Sequence, residues 1–218
     1  MSIFEVMGPV MIGPSSSHTA GGVKMGLLAG LVFKSDIEEV RITMHGSFAD
    51  TYHGHGTDRA VVAGILGFKP DDERIKSSLQ IAEEKGIKIG FDKADLGDVH
   101  PNTAVIELRG GNNEISVQAS SVGGGNILVS SIDNYEVNIS GNLPALWILH
   151  EDRPGKVALI TTILGEHNFN IAYMRVYRKK KGKIGSSVIE LDQKVNGEVL
   201  GALEERDGII QARYIPVV

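Results

Sequence analysis

Histidine is the side chain whose ordinary pKa lets it give and take protons near neutrality. Three of this chain's seven histidines, His45, His53 and His55, fall within eleven residues. They stand in the run His45-Gly46-Ser47-Phe48-Ala49-Asp50-Thr51-Tyr52-His53-Gly54-His55-Gly56-Thr57-Asp58-Arg59, between a strand-like and a helix-like segment. That position reads as a loop, and loops beside regular elements commonly carry catalytic groups. One of these imidazoles could serve as a general base. A metal site competes, because His53 and His55 share a face if the backbone is extended, yet no Asp or Glu stands at a recognised ligand spacing. Simpler roles fit too: His45 packing at a strand end, His53 solvated, Asp58 capping the next helix.

A second segment, Gly13-Pro14-Ser15-Ser16-Ser17-His18-Thr19-Ala20-Gly21-Gly22, precedes an apolar helical stretch. Hydroxyls at a helix start combine side-chain donors with free backbone N–H groups and the positive end of the helix dipole. Such a site suits a carboxylate or a phosphate. One hydroxyl is enough for an ordinary N-cap; here Ser15, Ser16, Ser17 and Thr19 accompany His18. The glycine-rich Ser121-Val122-Gly123-Gly124-Gly125-Asn126 joins two strands, so tight hairpin geometry explains its glycines better than a phosphate cradle, which leads from strand to helix. No G-x-S-x-G elbow occurs, and His100 and Lys24 stand alone.

The elements that must position these groups follow from periodicity. Val23, Leu27 and Leu31 mark a helix from His18 to Phe33, and Glu39 to Met44 reads as a strand. Helices are expected over Thr57–Leu66 and Asp72–Lys85, then strands over Asn102–Leu108, Glu114–Ser121, Ile127–Ser131 and Tyr135–Ile139. Helices early and a meander late predict an α+β fold. Ser140-Gly141-Asn142-Leu143-Pro144 marks a boundary near residue 142, dividing the chain into 1–142 and 143–218. Beyond it the order is strand Ala145–Leu149, a helix with Val157, Ile160 and Leu164, strands Ile171–Arg178 and Gly185–Asp192, helix Glu198–Arg206 and strand Ile209–Val218. This is a ferredoxin-like βαββαβ unit. The basic run Arg178-Lys179-Lys180-Lys181-Gly182-Lys183 falls between two of its strands and reads as a solvated hairpin turn.

Composition narrows the function classes. The 218 residues are 42% hydrophobic and 22% charged, with a net charge of −5, which argues for a globular core and against a nucleic-acid partner. No apolar run approaches the ~20 residues of a membrane helix, and the N-terminus lacks a secretory pattern, so the chain is expected in the cytoplasm. It contains no cysteine. Disulfides, a cysteine nucleophile and thiolate ligation of an iron–sulfur cluster by this chain are thereby excluded.

GPSSSHTAG, followed by HGSFADTYHGHGTD and later SVGGG, resembles the beta domain of bacterial iron–sulfur L-serine dehydratases. LWILHEDRPGKVALITTILGEHNFNIAYMRVY resembles an ACT domain and is similar to the regulatory domain of some phosphoglycerate dehydrogenases, whose neighbouring domain also resembles residues 1–142. The likeness implies a serine dehydratase beta-type domain followed by an ACT domain. It implies conversion of L-serine to pyruvate and ammonia, with a 4Fe-4S cluster on the cysteines of a partner alpha subunit, an open iron there acting as Lewis acid. This chain would then be inactive by itself.

By the same resemblance His18 and His55 are the catalytic residues. Ser15, Ser16, Ser17, Thr19, Thr57 and Asp58 are expected to bind substrate. The ACT likeness implies homodimerisation, and effector ligands near His150, Asp152, Gly155 and Asn170. Some family members carry a second histidine where this chain has Gly56, and some have proline where Gly22 stands. The Gly56 difference leaves open which group besides His55 handles protons. A purely regulatory subunit, binding an anion and holding no catalytic residue, is the competing reading. A pyridoxal-phosphate dehydratase is disfavoured, since no lysine has a convincing cofactor setting.

Overall fold

A computed structural model describes residues 10–33 and 35–218. The chain divides into two compact units between Asn134 and Tyr135, ahead of the turn at residues 140–144. Among the described residues no helix is long and apolar enough to cross a membrane.

The first unit is built on a mixed sheet. Strands β1 (Glu39–Met44), β2 (Lys88–Lys93), β3 (Thr103–Gly110), β4 (Asn113–Gly123) and β5 (Asn126–Ile132) lie in the order β2-β1-β3-β4-β5. Only β1 and β2 run parallel; β1–β3, β3–β4 and β4–β5 are antiparallel. Alternation decides the faces: Val40, Ile42 and Met44 point inward, as do Ala104, Ile106 and Leu108 on β3 and Ile115 and Val117 on β4. Gly123 and Gly125 take positive φ in the β4–β5 hairpin, the conformation that turn needs.

Helices α1 (Gly21–Val32), α2 (Gly46–His55), α3 (Thr57–Ile65) and α4 (Ser78–Glu84) complete the unit. Two expectations are corrected here. The helix expected from His18 begins as a π-helical turn, Ser16–Ala20, that continues directly into α1. The histidine-rich run is helical over Gly46–His55 rather than a loop. Strand β2 has no counterpart among the elements expected from the sequence.

Helices α1 and α3 pack backbone to backbone. Gly22, Gly26 and Gly30 recur every four residues and form one ridge of α1. A β-carbon on Gly26 would overlap the Val61 carbonyl oxygen, and one on Gly64 would overlap the Val23 carbonyl oxygen. The contact holds the π-helical turn at the head of α1 beside the start of α3.

The second unit opens with β6 (Tyr135–Ile139) and continues through β7 (Ala145–Glu151), α5 (Lys156–Glu166), β8 (Ile171–Arg178), β9 (Ile184–Leu191), α6 (Gly197–Glu204) and β10 (Ile209–Ile215). From β7 onward the order is βαββαβ, and the sheet runs β10-β7-β9-β8, all pairs antiparallel, as a ferredoxin-like unit requires. Leu146, Ile148, Ile189, Leu191 and Ala212 form one face and bury against Ile160, Ile163 and Leu164 of α5 and Val199 and Leu203 of α6. On the other face Trp147 is fully buried, its indole N–H donating to Ser186 Oγ at 3.0 Å while Ser186 donates to the Glu136 carbonyl of β6. The whole chain is thus an α+β protein. The basic run forms the β8–β9 hairpin turn.

Candidate active site

The site grows from the junction of α2 and α3. Gly56 ends α2 and begins α3 at once, with φ +70° in the left-handed region. A residue with a β-carbon would be strained there. This corner places His53 and His55 in the last turn of α2 and Asp58 in the first turn of α3.

Asp58 is buried, and both its oxygens are occupied. Oδ1 accepts the Arg59 amide at 2.8 Å, and Oδ2 lies 2.9 Å from His53 Nδ1. A carboxylate only accepts, so Nδ1 is the donor and His53 presents Nε2 outward. The His53 side chain is 73% exposed above a carboxylate that is 5% exposed. Its ring also lies against Tyr52, with centroids 4.0 Å apart.

His18 is the opposite case. It is buried in the π-helical turn and both ring nitrogens are engaged. Thr51 Oγ1 donates its one proton to the Ser47 carbonyl at 2.7 Å, so at 3.1 Å from His18 Nε2 it must be the acceptor. Ser15 Oγ accepts the His18 amide at 3.3 Å and stands 3.2 Å from Nδ1. With Thr51 accepting, a proton stands on Nε2. Burial, and next the neighbouring His55, push His18 below the ordinary histidine value. The His55 ring meets His18 edge to face at 4.6 Å, and Phe48 closes the other side at 5.2 Å.

A cavity of about 330 Å³ opens beside this junction, lined by Ile12, Gly13, Pro14, Thr19, His53, Gly54, His55, Gly56, Arg59, Ile75 and Lys76. Its far wall is tied down by the Ile12 amide, which donates to the Pro70 carbonyl at 2.9 Å. Two imidazoles, a guanidinium and an ammonium make it an anion-favouring pocket. Of the residues expected from the sequence to touch substrate, Thr19 and His55 line it. The Thr19 and Thr57 hydroxyls are buried without a partner among the described residues. Ser16 and Ser17 are half-buried in the π-helical turn, and neither hydroxyl has a hydrogen-bond partner among the described residues. Ser15 is spent on His18, and Asp58 on His53 and Arg59. A larger cleft of about 620 Å³ between α4 and β2, lined by Leu79, Glu83 and Phe91 among others, carries no histidine and no hydroxyl.

The sequence offers His53 only as one of three candidate imidazoles, and it singles out neither Thr51 nor Arg59 nor Lys76 for the site. The available signal for His53 was an acidic residue five positions on, across a glycine that could turn the chain back. Nothing in the sequence signals the Thr51–His18 bond, which spans 33 residues. His45 is a packing residue, its Nδ1 accepting the Leu96 amide at 3.1 Å.

In the second unit His150 is buried, Nδ1 donating to the Glu151 carbonyl and Nε2 accepting from Ser187, both at 2.9 Å. Asp152 accepts the Gly182 amide at 2.8 Å and pairs with Arg178 at 3.3 Å, which holds its carboxyl below the usual range. Gly155 starts α5 with φ +88°. Asn170 bonds Asp192 at the other end of that helix. Eleven residues of α5 span about 16 Å, so one copy of the unit does not gather Asn170 with the other three.

The first unit thus carries a cavity walled by two histidines, and the second has a ferredoxin-like topology. Comparison with known proteins makes this specific. Residues 2–86 match the family model for the serine dehydratase beta chain, and residues 148–208 match the ACT domain. The chain is 42% identical to a probable L-serine dehydratase beta chain of Bacillus subtilis, over 98% of this chain and 97% of that one. It is 36% identical to the L-serine dehydratase beta chain of Peptoniphilus asaccharolyticus, over 99% and 98%. A D-3-phosphoglycerate dehydrogenase of Archaeoglobus fulgidus is 29% identical, over 88% of this chain and 37% of that protein. The chain belongs to the serine dehydratase beta-chain family.

Proposed function

We propose that this chain is the beta subunit of an L-serine dehydratase that converts L-serine to pyruvate and ammonia in the cytoplasm together with an alpha subunit. The observation that carries the reading is the near full-length likeness to two serine dehydratase beta chains, joined to a cavity that pairs His55 with anion-favouring groups. His55 takes the proton from Cα of serine. The C–H electron pair forms the Cα–Cβ double bond as the hydroxyl leaves Cβ, and the resulting enamine becomes an imine that water hydrolyses to pyruvate and ammonia. Ser16, Ser17 and Thr19 in the π-helical turn, with Thr57 at the start of α3, receive the carboxylate. His18, neutral and fixed by Ser15 and Thr51, is the floor on which His55 rests.

A 4Fe-4S cluster belongs to the alpha subunit in this reading. The chain has no cysteine, and the described residues hold no grouping of three metal-binding side chains, so they do not fit a cluster. The assignments above therefore concern proton handling and substrate binding alone. We assign residues 1–142 to this chemistry and residues 143–218 to homodimerisation and amino-acid control, with His150, Asp152, Gly155 and Asn170 near a ligand only where two copies meet.

The test is co-expression with the alpha chain, anaerobic reconstitution with iron and sulfide, and a pyruvate assay on L-serine. The assembled pair is expected to turn over serine, and the chain alone to be colourless and inactive. Near-normal turnover by pairs carrying His18→Ala and His55→Asn would leave a regulatory subunit instead.

A further inference from the structure

His53 is an exposed imidazole held in one orientation by a buried carboxylate, and it takes no part in the steps carried by His55. Its Nδ1 proton is held by Asp58 at 2.9 Å. Asp58 is buried, and the Arg59 amide fixes its second oxygen. That arrangement locks the imidazole's rotation and its tautomer, and it places a negative charge behind the ring when the ring is protonated. The outward nitrogen, Nε2, belongs to an exposed ring on the wall of the same cavity as His55. A histidine serving only as a surface residue would need no buried carboxylate beneath it. A carboxylate serving only as a helix cap would need no histidine above it.

We infer that His53, oriented by Asp58, donates the proton that turns the departing β-hydroxyl of serine into water. This rests on the dehydratase reading. As the Cβ–O bond breaks, its electron pair stays on oxygen, and the His53 Nε2 proton moves to that oxygen. His53 is left neutral with its remaining proton on Nδ1, still held by Asp58. His55 has meanwhile gained the Cα proton. His55 then loses a proton to solvent and His53 regains one, so no net proton is stored. Asp58 acts through His53 and is a positioning residue, not a substrate ligand.

Two measurements test the assignment. In the isolated full chain, nitrogen-15 NMR of the histidines, with His53 assigned by the His53→Gln variant, is expected to show the neutral ring protonated on Nδ1. Asp58→Asn is expected to weaken that preference. A wild-type His53 protonated on Nε2 overturns the inference. In the assembled pair, His53→Ala is expected to lower kcat by ~10²–10⁴-fold with KM changed by less than about threefold, and added imidazole is expected to restore at least a tenth of the loss. Asp58→Asn is expected to lower kcat less and to gain nothing from imidazole, because its own ring is still in place. Turnover by His53→Ala within about threefold of wild type, or a loss that imidazole does not touch, overturns the acid role. Absence of any pyruvate from the wild-type pair is a separate outcome, for it removes the dehydratase reading and the acid role with it.

Discussion

His18 and His150 invite comparison, because each is buried and each spends both ring nitrogens on its own unit. What lies over them differs. His18 supports the exposed His55 at the edge of a cavity, so a closed layer carries an open one. His150 lies under the backbone of Gly185 on the paired strand, with no room even for a β-carbon between them. Both buried histidines thus have a complete set of partners within their own unit. Only in the first unit does such a histidine stand behind a second, exposed imidazole at a cavity, and the proposed chemistry rests on that layer.

The largest effect that separates the two regions is catalytic. Replacing His55 with Asn is expected to lower kcat of the assembled pair by ~10²–10⁴-fold while the subunits still associate. The second is thermodynamic. His150→Leu strips Ser187 of its partner and is expected to cost about 1–3 kcal/mol in denaturant unfolding, with serine turnover unchanged per folded molecule. A catalytic loss from His150→Leu would erase the distinction drawn here. Third, Ser16→Ala removes one hydroxyl from the anion site and is expected to raise KM for serine by about 2–10-fold, leaving kcat nearly constant.

The smallest effect is a pH dependence. Folded His18 takes up its proton below the ordinary value of about 6.5, through burial first and His55 second. Between that value and the lower folded one, the unfolded chain binds more protons than the folded chain. Stability from this group is therefore complete above about 6.5 and is lost as pH falls through the window beneath it. Melting temperatures of wild type and His18→Gln should diverge at neutral pH and converge on acidification. Parallel curves would mean that His18 is not held neutral.

Much of this architecture is legible in the sequence. The second unit is readable because Leu146, Ile148, Ile189 and Leu191 alternate, and helix residues such as Ile160 and Leu164 recur at helical spacing. The α2 helix is not, because only Phe48 and Ala49 of its ten residues are buried and it carries two glycines and two histidines. Strand β2, Lys-Ile-Gly-Phe-Asp-Lys, pairs at a sheet edge with no residue fully buried, so its pattern carries little contrast. At the site, His18 and His55 could be named from the sequence through their motifs. The Asp58–His53 bond could not, since its residues are separated by a turn whose direction depends on the left-handed Gly56. Asp58 alone looks like an ordinary cap.

The glycine ridge between α1 and α3 has a mechanical meaning. Where helices meet through leucines or methionines, their separation can drift as side chains choose new rotamers or are exchanged for others. At Gly26 and Gly64 each helix stops against the other's carbonyl oxygens, and peptide groups have no rotamers to change. The gauge between the hydroxyl-bearing turn and the histidine corner is therefore a fixed stop with almost no play. Wear elsewhere in the core can loosen the surrounding packing without changing the setting of the tool.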